Sequence, residues 1–172
     1  MKSKIVLLGD TGVGKTTLIQ QFTTHEYNPM ITSSLSAACV QMQFMDKKLE
    51  IWDTAGQEKY NSITPIYYRK ASCVLLVFDL SHSFTFERVK WWFEEVRRTT
   101  KTNMIVVGNK SDLKRKVSPI DVKFFVESNK LTYFETSSKT GDSVKEVLKA
   151  AAEYDFIQDD MLDLKTNKKG CC

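Results

Sequence analysis

The run Gly9-Asp10-Thr11-Gly12-Val13-Gly14-Lys15-Thr16 limits what this chain can fold into more than any other stretch. Before it stands Ile5-Val6-Leu7-Leu8, apolar and short enough for a buried strand, and after it Thr17-Leu18-Ile19-Gln20-Gln21-Phe22 reads as the start of a helix. A strand, a glycine-rich turn and a helix N-terminus aim several backbone N–H groups at one point, where the helix dipole adds partial positive charge. That point suits a polyphosphate. Glycines at 9, 12 and 14 let the backbone approach phosphate oxygens, Lys15 can reach the β and γ groups, and Thr16 can ligate Mg²⁺. Taken alone, the octet also fits an ordinary glycine-rich turn.

The rest of the chain decides between these readings. Tyr27 to Ser36 has no periodicity and reads as a long loop. Cys39–Met45 and Leu49–Trp52 read as strands joined by a tight turn at Asp46-Lys47-Lys48. Cys73–Phe78 is a third apolar strand, ending in Asp79, and Phe86, Val89, Phe93 and Val96 then recur at helical spacing. Trp91 and Trp92 on that helix read as packing residues. Met104–Gly108 is another strand, with Asn109-Lys110-Ser111-Asp112 at its end. Ser118-Pro119 opens a helix with a capping serine and a proline in the first turn. Leu131–Glu135 is the last strand, running into Thr136-Ser137-Ser138-Lys139, and a final helix carries Val144, Val147, Leu148 and Ala151 on one face. The pattern predicts an α/β fold: a mainly parallel six-stranded sheet with one antiparallel strand and helices on both faces. Ligands of such sheets sit beyond the strand C-termini, and each motif falls at that edge.

Composition narrows the function classes. At 172 residues, 42% of them apolar and 27% charged, the chain fits one globular domain that buries roughly 70% of its unfolded surface. Cys73–Phe78, its longest apolar run, is too short to span a bilayer. Met1-Lys2-Ser3-Lys4 leads straight into a strand, which predicts no signal peptide and an intracellular protein. The four cysteines lack the spacing of a disulfide frame or a zinc site, and His25 and His82 stand beside no obvious nucleophile. A net charge of +4, without a basic block interleaved with aromatics, argues against a nucleic-acid partner.

Four motifs in this order, Gly-Asp-Thr-Gly-Val-Gly-Lys-Thr, Trp-Asp-Thr-Ala-Gly-Gln-Glu, Asn-Lys-Ser-Asp and Thr-Ser-Ser-Lys, resemble those of a Ras-superfamily small GTPase over nearly the whole chain. Trp52, Tyr67-Tyr68-Arg69 and the terminal Cys171-Cys172 make the chain most similar to the Rab branch. The resemblance implies a P-loop G domain over residues 1–157, with Asp10, Thr11, Gly12, Val13, Gly14, Lys15, Thr16 and Thr17 around the phosphates of GTP or GDP. Asp112 offers two coplanar acceptors that match the N1–H and exocyclic amine of guanine and mismatch adenine. Asn109 is implied to hold loop and base, Lys110 to pack along the purine, the backbone of Ser137, Ser138 and Lys139 to meet the guanine oxygen, and Tyr27 to meet the ring. Mg²⁺ is implied to fall to Thr16, Asp53 and Ser34, with Thr32 and Ser33 as nearby competitors for the place of Ser34, the γ-phosphate to the Gly56 N–H, and the attacking water to Gln57, the catalytic residue.

The chain departs from the family at several points. Ser34-Leu35-Ser36 replaces a threonine, an apolar residue and a glycine, so the loop around the metal ligand is less preorganised. Thr11 adds a methyl beside the expected water path, and Cys39 replaces an aromatic that with Trp52 and Tyr67 forms the effector surface. The segment 158–172 turns acidic, then basic, and is expected to be a short flexible tail. The Rab resemblance implies geranylgeranyl groups on Cys171 and Cys172, two chains plus lysines giving stable attachment. The implied protein is a monomeric, cytoplasmic switch in vesicle trafficking, reversibly attached to the cytosolic face of an intracellular membrane. Its implied partners are effectors, an exchange factor, a GTPase-activating protein and prenyl chaperones of the GDI and escort type. A guanine-nucleotide-binding scaffold with little hydrolysis or switching is the alternative, prompted by Thr11, Ser34 and Ser36.

Overall fold

The computed structural model describes residues 2–27, 38–54 and 64–154. Its elements run β1 (Lys2–Leu8), α1 (Lys15–Thr24), β2 (Ala38–Phe44), β3 (Lys47–Asp53), α2 (Thr64–Tyr68), β4 (Cys73–Asp79), α3 (Ser83–Thr99), β5 (Asn103–Asn109), α4 (Pro119–Ser128), β6 (Thr132–Glu135) and α5 (Val144–Glu153). The strands form one six-stranded sheet in the order β2-β3-β1-β4-β5-β6. β1 is parallel to β3 and β4, β5 is parallel to β4 and β6, and β2 is antiparallel to β3.

Alternation along the central strands sorts the core. Ile5 and Leu7, Leu75 and Val77, and Ile105 and Val107 pack with Leu18 and Phe22 of α1 and with Val147 and Leu148 of α5. Val6, Leu8, Val74, Leu76, Phe78 and Val106 point the other way, onto Phe86, Val89 and Val96 of α3 and Val122 of α4. The core strands therefore read as continuous apolar runs, as parallel strands covered on both faces must. Each fully buried aliphatic side chain contributes about 1.5–3 kcal/mol, so the site rests on a stiff floor. Phe125 of α4 packs edge-on against Phe86 and Phe93 of α3, with ring centroids 5.8 and 5.5 Å apart.

Differences from the sequence reading are local. The hairpin turn is Met45-Asp46, since Phe44 already pairs with Lys47 and β3 begins there. The polar Asp-Lys-Lys composition suggested a turn one residue later. Met45 takes the left-handed conformation (φ 51°) that a two-residue hairpin demands, and Lys47 stays in the strand, where its Nζ donates to Ala152 O at 2.8 Å. α1 starts at Lys15, two residues before Thr17. Of the tryptophans on α3, Trp92 is buried and Trp91 lies half-buried against it, in keeping with their reading as packing residues. The parallel pairings place the ends of β1, β3, β4, β5 and β6 on one rim of the sheet.

Candidate functional site

At the end of β1 the chain turns through Gly9, Gly12 and Gly14, with φ of 152°, 78° and 98°, before entering α1. A β-carbon on Gly9 would collide with the Val77 carbonyl, and one on Gly14 with the Asn109 amide, so bare backbone is required at both. Gly12 differs, because the space its β-carbon would enter is open to 4 Å. The N-cap residue of α1, Gly14, supplies no side-chain cap and α1 has no acid in its first turn, whereas Ser118 caps α4 by accepting from Asp121 N at 3.3 Å. An N-terminus of that kind presents backbone donors and partial positive charge to an anion.

Lys15 is buried, and its Nζ donates to Gly9 O and Asp10 O, both at 2.8 Å. Thr16 Oγ1 donates to Asp53 Oδ2 at 2.6 Å, joining the start of α1 to the end of β3. This hydroxyl and buried carboxylate are hard oxygen donors of the kind Mg²⁺ takes, so the residues present fit the metal that the resemblance implies. Thr54, the next residue, donates from its hydroxyl to Leu7 O at 2.6 Å and ties the end of β3 to β1.

The other half of the site grows from β5. Asn109 is buried, and its Nδ2 donates to Val13 O at 2.8 Å. Its Oδ1 accepts from Thr136 Oγ1 (3.2 Å), Ser138 N (3.1 Å) and Ser138 Oγ (3.0 Å). One side chain thus ties the glycine-rich loop to the loop after β6. Asp112 is exposed, and its Oδ1 accepts from Ser137 Oγ at 2.6 Å, so the carboxylate is held from behind. Ser137 Oγ in turn accepts from Thr140 N at 3.1 Å. Lys110, in the left-handed region (φ 63°), places its Nζ 2.7 Å from Asp79 Oδ2. Burial works to raise the Asp79 carboxyl, but hydrogen bonds from Lys110 and Ser81 outweigh it and hold the group below its ordinary range.

The structure therefore brings residues 10–17, Asp53, Asn109, Lys110, Asp112 and residues 137–139 to one rim, along with Thr136 and Asp79, to which sequence reasoning gave no role. The signal for these two was present: Thr136 opens the Thr-Ser-Ser-Lys motif, and Asp79 ends its strand beside Asn109. Ser138 N is engaged by Asn109 within the protein. Tyr27 is 43% exposed. Ser34, Gly56, Gln57, Cys171 and Cys172 lie outside the described residues. Beside Asp53 at the edge of this rim, Cys39 pairs with Trp52 across β2 and β3, and the Trp52 and Tyr67 rings lie 5.9 Å apart, so the three residues expected to meet effectors do adjoin. Lys4 Nζ sits 5.0 Å from the Trp52 ring centre on the same patch.

A sequence profile of the Ras family matches residues 4–155. Ras-related protein RABF2b of Arabidopsis thaliana is 40% identical over 155 residues, covering 86% of this chain and 78% of that protein. GTP-binding protein ypt5 of Schizosaccharomyces pombe is 36% identical over 169 residues, covering 92% and 80%. Matches of that depth and extent, on a six-stranded sheet with the motifs gathered at one rim, establish that the chain belongs to the Ras family of small GTPases and is most similar to its Rab members.

Proposed function

We propose that this protein is a Rab-like switch that binds GTP and GDP and hydrolyses GTP slowly unless an activator contributes further groups, which in this chemistry are worth ~10³ to 10⁵ in rate. The observation that carries the proposal is the double attachment of Asn109, to Val13 of the phosphate loop and to Ser138 of the loop after β6, which makes a base-reading motif and a phosphate-binding motif parts of one site.

In this reading the Asp112 carboxylate, oriented by Ser137, pairs with the guanine edge and rejects adenine. The start of α1, with Gly14 at its N-cap, and the main-chain N–H groups of residues 10–17 take the phosphates, with Lys15 moving from loop carbonyls onto phosphate oxygens. Thr16, Asp53 and Ser34 would hold Mg²⁺, which supplies charge neutralisation at the phosphate oxygens. Gln57 orients the attacking water, and Gly56 with the Ser34 loop senses the γ-phosphate. Effectors meet the Cys39, Trp52 and Tyr67 surface in the triphosphate state, and an exchange factor resets the cycle. Residues 1–157 act as the domain. The tail from 158 carries lipid on Cys171 and Cys172 and returns the protein to an intracellular membrane with the help of GDI and escort proteins. No helix among the described residues is long and apolar enough to cross a membrane.

Calorimetry on nucleotide-stripped protein tests the core of this proposal: GTP and GDP should bind with Mg²⁺ present while ATP does not, and absence of uptake of either guanine nucleotide would overturn it. Gln57→Leu should slow hydrolysis with affinity retained. Hydrogen exchange across residues 27–60 should differ between the GDP and non-hydrolysable GTP-analogue states, and identical protection would remove the switch.

A further inference from the structure

Asp10 is out of character with its surroundings. It lies in the loop proposed to hold a polyanion, and its main-chain oxygen accepts from Lys15 Nζ, yet its side chain is itself an anion and only 11% exposed. A carboxylate so placed repels phosphate, and partial burial strengthens that repulsion because less water screens it. The structure sets a cation beside it. Arg88, from the second turn of α3, places Nε 3.6 Å from Asp10 Oδ1.

The manner in which Arg88 is held marks the pairing as one of charge. Its Nε and Nη2 are buried and make no hydrogen bond among the described residues. What fixes the guanidinium is the face of Trp91, 4.7 Å from its carbon, one turn further along the same helix. Arg88 thus stands on an aromatic platform with its charge turned on a phosphate-loop acid. A residue serving packing alone would not need that charge.

We propose that Arg88 is a positioning residue for the phosphate loop. It compensates the charge of Asp10, and thereby sets how strongly the loop favours the triphosphate, with its extra negative charge, over the diphosphate. The proposal rests on the nucleotide reading given above, and the two fail in different ways.

The test uses the full chain with fluorescently labelled GDP and a labelled non-hydrolysable GTP analogue, at low salt and at ~0.5 M salt. Arg88→Gln removes the charge and should weaken the triphosphate by about tenfold and the diphosphate by about threefold, with the gap closing in high salt. Arg88→Lys should retain most of the affinity. Adding Asp10→Asn to Arg88→Gln should bring triphosphate affinity back to within about twofold of the parent. Asp10→Asn in the otherwise unchanged chain should strengthen the triphosphate, a readout that stands even if Arg88→Gln fails to fold. Equal losses for both nucleotides without rescue, no loss at all, or a weaker triphosphate in Asp10→Asn would each overturn the proposal. A parent chain that takes up neither nucleotide would instead overturn the reading of the site as a nucleotide site.

Discussion

The two ends of the rim are built by different means. At the end that would face a base, side chains do the work: Asn109 is bonded on both sides, and Ser137 braces Asp112. At the end that would face phosphates the main chain does it, through left-handed glycines, a helix start with glycine at its N-cap and a lysine resting on loop carbonyls. Selectivity for a flat heterocycle needs donors and acceptors fixed at set angles, which buried hydrogen bonds provide before anything binds. Charge recognition tolerates looser geometry and needs many donors converging, which backbone supplies most densely. The ends are not independent, because Asn109 reaches from one into the other.

Substitutions can break or sharpen this contrast. The largest effect should come from Gly14→Ala, since the new β-carbon would strike the Asn109 amide from a backbone at φ 98°. Both ends should fail together, with no nucleotide uptake in calorimetry and a stability loss of ~3 kcal/mol or more in urea titration. Asn109→Ala comes next. It strips Val13 O and Ser138 N of their partner and should cost ~2–4 kcal/mol, with guanine affinity falling in step. Thr16→Ala should act on the phosphate end alone, abolishing the Mg²⁺ dependence of nucleotide affinity while the melting temperature without nucleotide stays within a few degrees. Ser137→Ala should act on the base end alone, narrowing the preference for GTP over ATP by about tenfold with little change in stability.

The smallest effect is an acid one. The folded state holds the Asp79 carboxyl below its ordinary range, so its contribution is complete above the unfolded pKa near 4 and is lost as pH falls through the folded value. Denaturation between pH 2 and 5 should show that decline, and Lys110→Met should flatten it.

Much of this was legible in the sequence because strong periodicity and rigid turn chemistry leave few alternatives. The apolar run at Cys73–Phe78 and the Ser118-Pro119 cap specified β4 and the start of α4 without help. The hairpin turn was misplaced because Lys47 and Lys48 have turn-like composition, while register, set by which face is buried, kept both in β3. α2 went unread, since five residues are too few for a period to show. Within the site, residue identities were readable and the links between them were not. That Asn109 joins Val13 to Ser138, or that Arg88 from α3 faces Asp10, depends on contacts between segments 78 to 96 positions apart or nearly 30, which no local pattern encodes.

At the opposite end of the sheet the last helix is stitched to the strands. Lys47 Nζ donates to Ala152 O at 2.8 Å and Ser3 Oγ to Tyr154 O at 2.9 Å, while Ser3 and Leu49 sit side by side in the β1–β3 ladder. A pull on the chain beyond Tyr154 would therefore load β1 and β3 in parallel instead of peeling α5 from its tip. The protein is mechanically reinforced at the point where a tether would tug on it.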